Sequence, residues 1–168
     1  GFFNLRGWNE LSEIVKFKSG RILVGLPRND FQEAIDRLMF LQAETLITNK
    51  LALETKQQYI KSLSAQLRVG APSLEEKETL KNLNGLIETG QVQIKLYTKS
   101  RLHAKLYILK HNEINQALIG SSNLTYSGIN GVGELNTDLV ADIESASDWF
   151  EEKWNSEFSI DISLDLKE

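Results

Sequence analysis

His103 and Lys105 stand two residues apart in the run Leu102-His103-Ala104-Lys105-Leu106-Tyr107-Ile108. Side chains alternate across a strand, so an extended chain here puts His103, Lys105 and Tyr107 on one face. Leu102, Ala104, Leu106 and Ile108 form the other, wholly apolar face. The imidazole and the ammonium then lie about 7 Å apart along the pleat. Such a pair can neutralise a phosphate and offer a nucleophile. His is the side chain of this set whose ordinary pKa lies near neutrality, so a neutral imidazole is available at pH 7. Taken alone, the pair equally describes a satisfied His beside a solvated Lys. Fifteen residues after Lys105 comes Gly120-Ser121-Ser122-Asn123. Gly permits close backbone approach, and Ser and Asn bring donors for phosphate oxygens. Alone, these four read as a turn. Glu134 lies eleven residues beyond Asn123 and also says little by itself. Ser121 and Ser122 are competing nucleophiles whose one obvious base is His103.

Composition narrows the chemistry. The 168 residues contain no Cys, which excludes disulfides, thiol catalysis and Cys-zinc sites. The two His, His103 and His111, exclude a His-rich metal cluster, while a carboxylate-held magnesium stays open. Apolar residues make up 41% and charged residues 25%, which fits a globular domain and rules out a disordered chain. No run approaches the roughly 18 apolar residues of a membrane span. The net charge of −4 argues against nucleic acid when read globally. Its distribution argues otherwise. Residues 1–130 hold seventeen Lys and Arg against twelve Asp and Glu, whereas residues 131–168 hold two against eleven. Between Gln91 and His111 there are five bases (Lys95, Lys99, Arg101, Lys105, Lys110) and no acid. A local cationic surface attracts phosphate even on an acidic protein. A solvated strand edge is the plainer reading of the same run.

The elements that must position these residues follow from periodicity. Residues 5–17 read as a helix with Leu11, Ile14 and Val15 on its apolar face. Residues 21–26 form a short strand stopped by Pro27, and Asp30 caps a helix carrying Ile35, Leu38 and Met39. Residues 41–90 read as a helical subdomain or insertion. Ser73 with Glu76 is a capping-box pattern there, and Leu74, Leu80, Leu83 and Ile87 continue the helix. Strands are expected over residues 92–97, 102–109, 116–119 and 134–141, with a hairpin turn at 110–115. A closing helix spans 143–158, with Ile143, Ala146, Phe150 and Trp154 on one side. Trp149 and Trp154 read as packing residues. The acidic tail from Ser159 onward is expected to lead into a further domain. The start at Gly1-Phe2-Phe3, without Met and without a signal- or transit-peptide pattern, suggests a domain cut from a longer protein. The order of helices and strands suggests a parallel sheet flanked by helices.

Together, His103-x-Lys105, Gly120-Ser121-x-Asn123 and Glu134 resemble the phospholipase D superfamily, whose signature is HxK(x)4D(x)6GSxN followed by a downstream Glu. The phrase from Lys95 to Asn136 is similar to the nuclease branch, in particular to domains found beside helicase modules and in some restriction enzymes. The opening GFFNLRGWNEL is similar to the first strand and helix of those domains. The likeness covers residues 1–40 and 91–158. One departure stands out: Lys110 occupies the place of the signature Asp, and nine residues rather than six separate it from Gly120. Glu113 fills the acidic place if the hairpin carries three extra residues.

The resemblance implies one α/β domain over residues 1–168, with a mixed, largely parallel β-sheet flanked by helices and a helical insertion at 41–90. It implies a metal-independent, cofactor-free endonuclease acting on DNA. His103 would attack phosphorus and form a phosphohistidine. Lys105 and Asn123, helped by Ser121, would hold the non-bridging oxygens, with Lys99 and Arg101 as further phosphate contacts. Glu134 would orient His103. A second, equivalent His protonates the leaving oxygen in the family. With one motif per chain, that His implies a homodimer. Further domains of the same chain, a cytoplasmic setting and no membrane partner complete the expectation. Two other readings stay open: a DNA-binding module that has lost turnover, and a phospholipase or phosphatidyl transferase.

Overall fold

Asn4 opens the first helix, α1 (Leu5–Ile14), by accepting a hydrogen bond from Gly7 N on its side-chain oxygen, 2.8 Å away. The computed structural model describes residues 3–14, 18–25, 54, 57–58, 60–61, 74–99, 102–111, 114–131 and 133–166. The buried face of α1 is Leu5, Gly7 and Trp8, not the expected Leu11 and Ile14; Ile14 is 71% exposed. The cause is where the helix is anchored. Phe3 bridges Leu124 and Asn4 N donates to Leu124 O (3.0 Å), so the first turn is held against the protein. Val15 and Phe17 lie outside the described residues.

The first sheet has the strand order β1 (Gly20–Gly25), β2 (Val92–Tyr97), β6 (Ser159–Asp161). β1 pairs with β2 in parallel, from Gly20 opposite Val92 to Gly25 opposite Tyr97. Helix α2 (Leu74–Glu88) lies in the connection between them and sends Leu83 and Ile87 into the core. It ends on a Schellman pair: Gly90 N donates to Ile87 O (3.0 Å) and Gln91 N to Leu86 O (2.9 Å). The expected alternation on β2 holds. Val92, Ile94 and Leu96 are at most 1% exposed, while Gln93 is exposed and Lys95 half-buried. With Phe3, Trp8, Val24 and Ile162 they form the core. Ser73 and the helix after Asp30 lie outside the described residues. Leu74, expected on the apolar stripe of α2, is 82% exposed.

The second sheet, β3 (Leu106–His111), β4 (Ile114–Gly120) and β5 (Asn136–Asp138), is antiparallel throughout. Parallel pairing among the described strands is therefore confined to β1 and β2, where a largely parallel sheet was expected. Two residues between β3 and β4 can close only an antiparallel pair, because a parallel neighbour needs a long crossover. The ladder extends to His111 opposite Ile114, into the expected turn at 110–115. Its polar side chains there stay exposed, so pairing their backbone removes no charge from water. β5 is three residues long rather than eight, leaving Leu135 and Val140 over 80% exposed.

Helix α3 (Tyr126–Ile129) is capped by Thr125, and α4 (Ile143–Trp154) is shorter than expected. Past α4 the chain turns back, and the segment expected to leave the domain supplies β6 and the fully buried Ile162. Ser163 Oγ accepts from Ile94 N at 2.8 Å, so this segment is sewn to the centre of the first sheet.

Candidate active site

The chain reaches the site just before β3. His103 and Lys105 lie in the extended segment 102–105, not within the strand itself. Gly25, at the end of β1, packs directly on the backbone of Leu102; a Cβ there would fall 2.5 Å from Leu102 O, so only Gly lets the segment pass. Lys105 O accepts from Gly120 N at 3.2 Å, which carries the ladder one bond beyond Leu106 and Ile119. That bond joins the two halves of the motif through their backbones.

Lys105 is 8% exposed. A charge so buried needs hydrogen bonds to replace water. Its Nζ donates to His103 O (2.9 Å) and lies 2.8 Å from Nδ1 and 3.0 Å from Nε2 of the exposed His103 ring. An ammonium has donors only, so it can bond the ring nitrogen that carries a lone pair. The two side chains expected about 7 Å apart thus meet directly, because Lys105 folds back along the segment.

Ser121 and Glu134 also meet. Ser121 Oγ donates to Glu134 Oε2 and accepts from Leu135 N (2.9 Å); Ser121 N donates to Leu135 O (3.0 Å). Both donors of Ser121 are therefore engaged by the Glu134–Leu135 segment. Contrary to the sequence reading, Ser121 has a carboxylate partner of its own. Gly120 makes this approach possible: a Cβ there would run into Asn136 Oδ1 and Leu135 O. Ser122 is 5% exposed, which removes it as an open nucleophile. Asn123 is half-buried, and its carbonyl accepts from Thr125 N at 2.8 Å.

Tyr107 lies on the same face as Lys105 and donates its hydroxyl to Ser122 O at 3.0 Å. Burial first, then the negative charge of Glu134, push its pKa up to about 12. The charge of Glu134 is therefore felt at Tyr107 on β3, two residues after Lys105.

Four interlocked motif residues and a downstream carboxylate thus make up the candidate site. Residues 35–160, three-quarters of the chain, match the family described as cardiolipin synthase, phospholipase D-like domain. The chain belongs to this family. No curated protein and no solved structure matches it significantly. A phospholipase D-like domain places the chain in a superfamily of phosphodiesterase-type activity. The match runs through the segment 41–90 as well as through the motif.

Other expected site residues of this phospholipase D-like domain stand apart from the motif or outside the described residues. Lys99 is exposed and sits over the Phe158 ring, 5.1 Å from its centre. Lys95 donates to Trp154 O (3.0 Å) and lies over the Trp154 ring. Lys110 is exposed at the far end of β3, where its charge helps hold the Glu151 carboxyl below its usual range, after the larger effect of Arg21. Of the five bases, Lys95 is thus placed on β2 and Lys110 on β3, while Lys105 meets His103. Arg101 and Glu113 lie outside the described residues. His111 is exposed, as expected for a residue with no following xK. Sequence reasoning gave Tyr107 a face but no role and passed over Asn136. The signal for both was position: each sits two residues along the chain from a motif residue, Lys105 or Glu134. Among the described residues, no group of three or more His, Cys, Asp or Glu is placed to hold a metal ion, and no helix is long and apolar enough to cross a membrane.

Proposed function

We propose that the domain is a metal-independent phosphodiesterase acting on DNA, working through a phosphohistidine at His103. The observation that carries this reading is the joining of His103 and Lys105 to Gly120, Ser121 and Glu134 by the Lys105–Gly120 and Ser121–Glu134 hydrogen bonds. The ammonium of Lys105 and the amide of Asn123 neutralise and orient the non-bridging oxygens. A ring nitrogen of His103 gives its lone pair to phosphorus as the phosphorus–oxygen bond to the leaving nucleoside breaks. The His103 of a second copy gives that oxygen a proton, so the active unit is a homodimer. The second His then takes a proton from water. The resulting hydroxide displaces His103 from phosphorus and restores the neutral ring. Ser121 holds Glu134 beside the motif, and the carboxylate balances the positive charge that builds on His103. Lys99 and Arg101 serve as outlying contacts to the DNA backbone.

The test is incubation of the full chain with plasmid DNA in excess EDTA. Cleavage that weakens with rising salt supports the reading, since salt competes with Lys–phosphate contacts. An absolute need for magnesium overturns it. The family description names cardiolipin synthase, so anionic lipid vesicles form the second arm: turnover on lipid but not on DNA would assign phosphatidyl transfer instead. DNA retention without cleavage would assign a binding module.

A further inference from the structure

Ser122 occupies the variable position of the Gly-Ser-x-Asn run, yet every polar group it has is held. Its amide N donates to Asn136 Oδ1 (3.4 Å), its Oγ accepts from Asn136 Nδ2 (2.7 Å), and its carbonyl accepts from Tyr107 Oη (3.0 Å). The side chain of Asn136 grips residue 122 with both of its ends. Its backbone pairs with Gly120 across the β4–β5 ladder. Tyr107 reaches it from β3, two residues along the chain from Lys105. Holding Ser122 by both its backbone and its side chain fixes the chain between the exposed Ser121 and the half-buried Asn123.

We propose that Tyr107 and Asn136 are positioning residues of the active site, holding the Ser121–Ser122–Asn123 turn in register with His103 and Lys105 through Ser122. They do not touch the phosphate. Tyr107 ties the turn to the strand of the nucleophile, and Asn136 ties it to the segment of Glu134. A site built from three separate stretches of chain needs such ties, because a misplacement of about 1 Å costs on the order of a hundredfold in rate. Tyr107 serves as a donor over the whole neutral range, since its hydroxyl keeps its proton until strongly alkaline pH.

The kinetic part of this inference rests on the phosphodiesterase reading, so its test carries a second readout that does not. Tyr107→Phe and Asn136→Ala are compared with the parent chain in hydrolysis of bis(p-nitrophenyl) phosphate and in amide hydrogen exchange at Ser121 and Ser122. Each variant should lower kcat by about ten- to a hundredfold with KM within about threefold. Exchange at Ser121 and Ser122 should quicken, while exchange at Ile94 and Leu96 stays at the parent rate. The double variant should lose less than the product of the single losses, because both act on one residue. Parent-like kcat in both single variants, or unchanged exchange at Ser121 and Ser122, overturns the assignment. A parent chain that hydrolyses no phosphodiester overturns the functional reading instead, and the exchange rates then decide whether Tyr107 and Asn136 hold the turn.

Discussion

The two three-stranded sheets of this domain are held by different forces. In the first, Val92, Ile94, Leu96 and Ile162 are at most 1% exposed, and burial of aliphatic side chains dominates. In the second, Ala117 is the one hydrophobic residue counted as buried among the described residues, and all of β5 is exposed. Its order comes from directed hydrogen bonds: Lys105 to His103, Ser121 to Glu134, and Tyr107 and Asn136 to Ser122. Burial is non-directional, whereas hydrogen bonds fix angles. Stability is therefore concentrated in the first sheet and the geometry of the candidate site in and beside the second, and substitutions in the two should separate.

The largest effect is expected at the site. Lys105→Ala should cut turnover by about a thousandfold or more, the scale of losing a principal charge-stabilising donor. Circular dichroism should show the fold kept. A variant that unfolds would break the separation by making Lys105 structural. Next comes Ile94→Ala, which removes a fully buried side chain beside β6 and should cost about 2–5 kcal/mol in denaturant unfolding. The kcat of the folded fraction should stay at the parent value.

Much of this division was legible in the sequence, but unevenly. The alternating run from Val92 to Tyr97 announced a buried strand, and the motif announced the phospholipase D-like family. What stayed hidden were the contacts between distant stretches. Ser159 to Ile162 alternates polar and apolar residues, but so short a run in acidic surroundings resembles a linker until β2 supplies a partner. The carboxylate at Ser121 was hidden for the same reason: it comes from thirteen residues away, across a reversal that Gly120 alone permits. The buried face of α1 was misjudged because its anchor, Leu124, is over a hundred residues distant. Periodicity reports which faces are apolar and not which turn of a helix the rest of the chain will cover.

A smaller effect should appear with alkali. The folded-state pKa of Tyr107, about 12, lies above its ordinary value of 10. The folded form therefore favours the protonated phenol. The stability this contributes is complete below about pH 10 and is lost as pH rises towards 12. Stability curves of the parent and Tyr107→Phe should converge over that window; parallel curves would place Tyr107 in a solvated setting. The smallest effect is expected at the exposed Arg21–Glu151 pair, which tethers α4 to β1. Arg21→Ala should cost about 1 kcal/mol or less and leave turnover unchanged, and that cost should fade as pH falls through the carboxylate range, where Glu151 takes up its proton.

The central claim is that His103 carries the phosphoryl group during turnover. Rapid quenching of the reaction with end-labelled DNA should trap a protein–DNA adduct in the presence of EDTA. That adduct should survive base, fall apart in acid and be absent from His103→Ala. An adduct that survives acid and maps to Ser121, or near-normal cleavage by His103→Ala, would contradict the account.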